Sequence, residues 1–538
     1  MAKALLLLVS ILAASAQFDC TYCRIALQSL DVWTNSEDFD TVVQKVADLV
    51  CSTKWAPSYC DDIGYPLLVE GIKAMQDRYI NADYICSTVS ACSFPTYQEE
   101  NLSDWASKVL SDKPSSKSPT FSNSTFRFAQ LTDIHVDLNY QEGSSTQCDG
   151  ISCCRGGTPS EQKYSAGEWG DYKCDIPLKT VTTALNKIKE QNVDFLIWTG
   201  DIVSHDMSLT KEEKLGVIEK VTFEIMEKFK IPVYPLIGNE ECYPDHQFGI
   251  KGESWLTNAL DAMWENWIGM NSKTFSKFGH YSLKHKDTDL RIIAINTLAC
   301  DVENFALIAN ATDPGEQISF LQQELSKAEQ NNEAVYIIGH VPPATSSCLS
   351  PWARHYSVLV ERYQNIIKGQ FYGHTHSDEI RLSRSFGGHN PTSVQFIAPS
   401  LTSLSNRNPS FRIYSADSSS FEIKNYHQWR LNLAASYPGF KEVYDFLSYY
   451  NLNNLLPSTL EKLAQEMKTD ELVSLKYLKN IVTGGPETKG TCDELCRADL
   501  YCDLMYDVAE DQMNCKELKE TFIHEILFKL YGPWVLKL

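Results

Sequence analysis

Five short segments of the chain set a small residue or glycine beside a side chain that binds metals. They are Asp133-Ile134-His135, Gly200-Asp201, Gly238-Asn239, Gly339-His340 and Gly373-His374-Thr375-His376. Together Asp133, His135, Asp201, Asn239, His340, His374 and His376 supply four histidines, two aspartates and one asparagine. Mixed nitrogen and oxygen donors of this kind favour zinc, and manganese or iron accept the same set. Seven donors suffice for two ions, with Asp201 well placed to bridge them. A pair of divalent metals suits displacement at phosphorus, because one ion activates a water and both grip the phosphoryl oxygens. Any one of these segments could be a polar strand end met by chance. All five in this order could not.

Each segment follows an apolar run. Phe128-Ala129-Gln130-Leu131 precedes Asp133, and Phe195-Leu196-Ile197-Trp198 precedes Asp201. Val233-Tyr234-Pro235-Leu236-Ile237 precedes Asn239, Val335-Tyr336-Ile337-Ile338 precedes His340, and Gln370-Phe371-Tyr372 precedes His374. Short apolar runs separated by helical stretches predict buried parallel strands. Sites in such sheets assemble at the carboxyl ends of strands, so the donors are expected along one edge of one sheet. On a strand end or tight turn, His374 and His376 can reach one centre or two adjacent ones, whereas on a helix they would diverge.

The order D-x-H, GD, GN, GH, GHTH resembles the calcineurin-like metallophosphatases. The flanking residues resemble the acid sphingomyelinase family more closely: Gly339-His340-Val341-Pro342-Pro343, Gln370 to Glu379, Asn310-Ala311-Thr312-Asp313-Pro314 and Ala398-Pro399-Ser400. The resemblance implies an α/β fold, a metallophosphatase β-sandwich flanked by helices, and hydrolysis of sphingomyelin to ceramide and phosphocholine on two zinc ions. It implies that one ion takes Asp133, His135, Asp201 and His376, and the other Asp201, Asn239, His340 and His374. It also implies two histidines near the leaving group. One is His205, four residues after Asp201. The other belongs to a GNH triplet, which here reads Gly238-Asn239-Glu240, so Glu240 takes the second candidate catalytic position, where a histidine is expected. Leu404 stands where a tyrosine is common, and Glu303 matches an acidic position that could face a choline cation. Three readings follow: a sphingomyelin phosphodiesterase, a phosphodiesterase of altered specificity (nucleotide or another head group) suggested by Leu404, and a catalytically impaired lipid-binding homologue suggested by Glu240. Retention of all seven ligands argues against the third.

The rest of the chain sets the context. Residues 1–16 read as a signal peptide, with an apolar run from Leu5 to Ala14 and the A-x-A site Ala14-Ser15-Ala16. The run is too short to span a bilayer. An exported chain with 17 cysteines is expected to form disulfides and to be secreted or lysosomal. Asn101, Asn123 and Asn310 lie in glycan sequons. The net charge of −21 excludes nucleic acid as a partner. Residues 17–95 carry six cysteines among helical patterns, and their spacing resembles a saposin B-type lipid-binding domain. That resemblance implies Cys20–Cys92, Cys23–Cys86 and Cys51–Cys60, and peripheral membrane contact through this domain. A proline-bearing linker is read at 96–122, the catalytic domain at 123–430 and a helical, disulfide-bonded domain at 431–538. For these regions the family resemblance implies Cys148–Cys153, Cys154–Cys174, Cys300–Cys348, Cys492–Cys496 and Cys502–Cys515. Cys242 is left unpaired, either as a small buried filler or as a thiol near the metals. The chain is expected to work as a monomer.

Overall fold

The structure is a computed structural model that describes residues 96–148, 152–249, 252–269, 274–388 and 390–516. The expected signal peptide, the saposin-type segment with its three disulfides, and the Asn101 side chain lie outside the described residues.

Two six-stranded sheets pack face to face. The first has the order β12-β11-β10-β1-β2-β3, with β1 at Thr125–Leu131, β2 at Phe195–Trp198, β3 at Val233–Pro235, β10 at Ser410–Asp417, β11 at Ile423–Leu431 and β12 at Phe440–Asp445. The second has the order β4-β5-β6-β7-β9-β8, with β4 at Tyr281–Lys284, β5 at Leu290–Ala294, β6 at Ala334–Ile338, β7 at Ile367–Tyr372, β8 at Glu379–Arg384 and β9 at Pro391–Ile397. β1, β2 and β3 run parallel, as do β5, β6, β7 and β9. The apolar runs read as parallel strands are therefore parallel, but they divide between two sheets.

Aromatic packing joins the sheets. Phe128 of β1 stacks on Phe195 at 4.7 Å and meets Phe371 of β7 edge-on at 5.4 Å. Edge-to-face geometry sets the positive ring edge against the negative face. Nearer the strand ends, Gln130 ties β1 to β7 by donating from Nε2 to the Tyr372 carbonyl at 2.9 Å.

The crossover helices are amphipathic. α1, Leu178–Glu190, buries Val181, Ala184, Leu185 and Ile188, an i, i+3, i+4, i+7 stripe against the sheet. α2, Lys211–Lys228, begins at a capping box in which the Thr210 hydroxyl accepts from the Glu213 amide and the Glu213 carboxylate accepts from the Thr210 amide.

Two expected boundaries shift. The segment 96–122 is not a linker throughout, because Thr96–Leu110 is a helix. It docks through Trp105, whose ring lies 4.8 Å from His355, and Asp112 then accepts from Arg362 at 2.7 Å. Likewise β12 continues the first sheet to Asp445, past the boundary read at 431. The helices beyond it share the sandwich core, with Leu460, Leu463 and Met467 in the same buried cluster as Phe128. The helical periodicity after 431 is real, but its apolar face is buried on the sandwich and not in a separate core. No helix among the described residues is long and apolar enough to cross a membrane.

Candidate active site

The candidate metal-binding side chains meet at a rim that both sheets share, not at the edge of one. Asp133 and His135 follow β1, Asp201 follows β2 and Asn239 follows β3, all from the first sheet. His340 follows β6, and His374 and His376 follow β7, from the second. Face-to-face packing with the carboxyl ends together lets two sheets build what neither builds alone. The close approach depends on glycine. A Cβ at Gly238 would collide with the Asp201 carboxylate, and one at Gly373 would lie 2.5 Å from Asp133 Oδ2.

The turns that carry the donors are strained. Asp133, His135, Asp201, His374 and His376 have φ of 48°, 41°, 53°, 68° and 56°. Non-glycine residues in this left-handed region cost on the order of 1–3 kcal/mol each, and such strain clusters at functional sites. Hydrogen bonds hold them there. The amides of Ile134 and His135 donate to the Asp201 carbonyl at 2.7 and 3.1 Å. Buried Glu241 gathers the next turn, its carboxylate accepting from the amides of Gly238 (2.7 Å), Asp201 (3.0 Å), Ile202 (2.6 Å) and Val203 (3.3 Å).

Three donor groups form among the described residues: His135, His205 and His376 make one, and the other two share Asp201. Asp133, His135, Asp201 and His376 converge in the first of those two, and Asp201, His340 and His374 in the second. In the first, His135 Nε2 lies 3.1 Å from His376 Nε2 and 3.4 Å from Asp201 Oδ2. In the second, His340 Nε2 lies 3.1 Å from Asp201 Oδ2 and 2.9 Å from Asn239 Oδ1, which also faces His374 Nδ1 at 2.9 Å.

The chemistry of these donors fits divalent cations. His135 Nδ1 donates to the Val203 carbonyl at 2.9 Å and His340 Nδ1 to the Thr199 carbonyl at 2.7 Å. Each contact fixes the tautomer and leaves an Nε2 lone pair aimed at oxygen or nitrogen lone pairs, an arrangement a cation satisfies. Burial, with the neighbouring cationic His205, holds His135 and His376 well below the usual histidine range. Burial pushes Asp133 up to about 7. For Asp201, burial acts upward, but His340 and His135 outweigh it and hold the carboxyl low. Two buried carboxylates among imidazoles thus share a deficit of positive charge that metal ions would fill.

Around the donors stand the other residues singled out in the sequence. His205 stacks on His135 at 3.8 Å, and its Nδ1 lies 3.0 Å from Asp175, whose carboxylate also accepts from Thr402 at 2.9 Å. Glu240 is buried, accepts from Asn239 Nδ2 at 2.9 Å and donates its amide to Asp201 Oδ1 at 3.0 Å. Burial and Asp245 push its carboxyl well above the usual range, although His205 acts against them. Leu404 is partly exposed on the loop that carries Thr402. Glu303 lies 3.8 Å from His246. Cys242, the free cysteine among the described residues, is buried, and burial pushes its thiol far up, as suits a packing role. The structure joins Cys148 to Cys153, Cys154 to Cys174, Cys300 to Cys348, Cys492 to Cys496 and Cys502 to Cys515. Asn123 is exposed and Asn310 partly so.

Sequence reasoning missed Asp175, Glu241, His246 and Asp301. Glu241 and Asp175 carried a weak signal, one adjoining the GN segment and the other adjoining Cys174. His246 and Asp301 carried none, since they meet only in the folded chain.

The calcineurin-like phosphoesterase family profile matches residues 126–378. The bovine sphingomyelin phosphodiesterase is 34% identical over 418 residues, which cover 72% of this chain and 65% of that protein. The chain thus spans about two thirds of the length of that relative. Sphingomyelin phosphodiesterase 1 of Caenorhabditis elegans is 30% identical over 92% of each chain. A human cyclic GMP-AMP phosphodiesterase is 30% identical over 70% of this chain and 87% of its own length. With its sandwich fold and its divalent-metal donor groups, the chain belongs to the acid sphingomyelinase family of calcineurin-like metallophosphodiesterases.

Proposed function

We propose that the chain is a phosphodiesterase that hydrolyses sphingomyelin to ceramide and phosphocholine. The observation that carries the reading is the sharing of Asp201 between two convergent donor groups. Two zinc ions fit, one held by Asp133, His135, Asp201 and His376, the other by Asp201, Asn239, His340 and His374. When bound, such ions neutralise the phosphoryl oxygens and lower the pKa of water. The protein's own side chains do the rest. Asp175 orients His205, which stacks on His135 beside the first group and can hold a proton at the departing alcohol. Glu240 fixes the amide of Asn239 so that Oδ1 faces the second group. Residues 17–95 would deliver lipid by contact with a membrane surface. A secreted or lysosomal location, glycans at Asn101, Asn123 and Asn310, and a monomeric state complete the reading.

A second reading keeps the chemistry and changes the head group. Leu404 removes a phenol from the expected place, and Glu303, the residue suited to a choline cation, lies beside His246. The likeness to a cyclic GMP-AMP phosphodiesterase fits a soluble phosphodiester.

One experiment separates the readings. Purified full-length protein is assayed on sphingomyelin vesicles and on a soluble phosphodiester, with and without a chelator, and its metal content is measured. Chelator-sensitive release of phosphocholine is expected. Cleavage of the soluble ester alone would establish the second reading, and inactivity on both in metal-replete protein would overturn both.

A further inference from the structure

Two histidines flank the donor groups without belonging to the ligand sets assigned above, and each is backed by a carboxylate. His205 backs onto Asp175 beside His135 and His376. His246 has no such standing in the sequence motifs, yet its setting is parallel. Its Nδ1 lies 2.7 Å from Asp301 Oδ2, its Nε2 lies 3.3 Å from Asn239 Nδ2, and its ring lies 6.4 Å from His374. One histidine–aspartate pair therefore adjoins the first donor group and the other adjoins the second.

The burial is graded as a working side chain requires. The Asp301 side chain is 1% exposed and that of His246 is 18% exposed. A sealed carboxylate holds one ring nitrogen while part of the ring stays exposed. Asp301 is itself fixed. Its Oδ1 accepts from the Glu303 amide at 3.1 Å, its backbone pairs with Cys348, and the adjacent Cys300 is bonded to Cys348. The His246 turn is locked to the same loop, since Gln247 Nε2 donates to the Glu303 carbonyl at 2.8 Å and Gln247 Oε1 accepts from the Phe305 amide at 3.1 Å. His246 sits at φ 65° with its amide donating to the Asn239 carbonyl at 3.0 Å. A strained residue this firmly determined is typical of a functional position. Glu240 Oε1 and Glu303 Oε2, at 3.9 and 3.8 Å from Nε2, line the same space.

We propose that His246 is a catalytic residue of phosphodiester cleavage that presents Nε2 to the oxygen leaving phosphorus, with Asp301 as its positioning residue. The proposal rests on the phosphodiesterase reading. In net terms, water gives its oxygen and one proton to phosphorus as hydroxyl. The bond from phosphorus to the alcohol oxygen breaks with its electron pair staying on that oxygen. The second proton of the water completes the alcohol. That proton passes through His246 Nε2, whose lone pair faces Asn239 Nδ2 before the reaction, to the alcohol oxygen while charge develops on it, a transfer worth most when the alcohol is a poor leaving group.

The test compares two soluble diesters in the full-length, metal-loaded protein, one releasing an alkyl alcohol and one releasing nitrophenolate, which departs without help. His246→Ala should lower kcat on the alkyl ester on the order of 10²-fold and on the nitrophenyl ester by less than about fivefold, with metal content unchanged. His246→Gln, which keeps a donor, should recover part of the alkyl activity. Asp301→Asn should lower kcat on the alkyl ester by an intermediate factor with KM unchanged. These two milder variants decide the question if His246→Ala does not fold. Equal losses on both esters would overturn the proposal. So would a loss of bound metal reversed by added zinc, which would make His246 only a prop for Asn239. A native protein that cleaves neither ester would remove the phosphodiesterase reading itself, and this proposal with it.

Discussion

The Glu241 carboxylate is bound to the backbone amide of Asp201 at 3.0 Å, so a buried acid two residues beyond Asn239 holds the turn that carries the shared donor. The same side chain reaches three further amides, of Gly238, Ile202 and Val203. Removing it strands several buried N–H groups, each worth about 1–3 kcal/mol unsatisfied. Glu241→Ala should therefore lower both thermal stability and bound metal. A variant that melts like the native protein and keeps its metal would show that the turn needs no such clamp.

Asp201 itself should be the most sensitive donor. Asp201→Asn keeps the shape but removes the charge that two ions would share. The expected outcome is loss of hydrolysis together with a fall in metal content, read by elemental analysis. Full activity at a normal metal count would refute the shared position of Asp201.

His205 and Asp175 form a pair whose parts should differ in effect. His205→Ala removes the side chain stacked on His135 and should cost on the order of 10²–10⁴-fold in turnover. Asp175→Asn leaves the ring but weakens its orientation, and it also disturbs the bond to Thr402. Its loss should be smaller and confined mainly to kcat. A larger effect at Asp175 than at His205 would assign the carboxylate a role of its own.

The donors were legible in the sequence because each is local: an apolar run, a turn, a ligand. The strand character of Phe195–Trp198 and Ala334–Ile338 was legible for the same reason. Their division between two sheets was not, because periodicity reports burial and says nothing about which neighbour provides it. Tyr336 of β6 and Phe195 of β2 read alike, yet they lie in different sheets. The motif placed Glu240 where the resemblance implies a second histidine. His246 comes beside Asn239 only in the fold, through a loop pinned to Asp301 by a contact across 55 residues. The helix Thr96–Leu110 was hidden by the polar, proline-bearing text that follows it.

The N-terminal region admits a direct test. If residues 17–95 present lipid, their deletion should depress hydrolysis of vesicle-bound sphingomyelin far more than that of a soluble diester. Equal losses would mean that the segment supports only folding or stability.

Stability should also carry a pH signature from a buried acid outside the donor groups. Asp507 is buried between the helix Ser350–Arg362, whose Ser357 hydroxyl donates to it at 2.6 Å, and the helix Ala509–Cys515. Burial pushes its carboxyl up to about 6 from an ordinary value of 3.8. The folded chain therefore binds this proton more tightly than the unfolded chain. Between these two values the native state holds more protons, so stability falls as pH rises from about 4 through about 6 and levels off above. The sign is opposite to that of an acid in a salt bridge, which stabilises at neutral pH. Asp507→Asn removes the titration and keeps a side chain that still accepts from Ser357. The variant should match the native protein near pH 4 and exceed it at pH 7 by roughly 1–3 kcal/mol, at about 1.4 kcal/mol per pKa unit. Denaturant unfolding at pH 4, 5, 6 and 7 measures the difference directly. A gap that stays constant across these values, or that widens toward acid, would show that Asp507 is ionised in the folded chain and is held by partners rather than by burial.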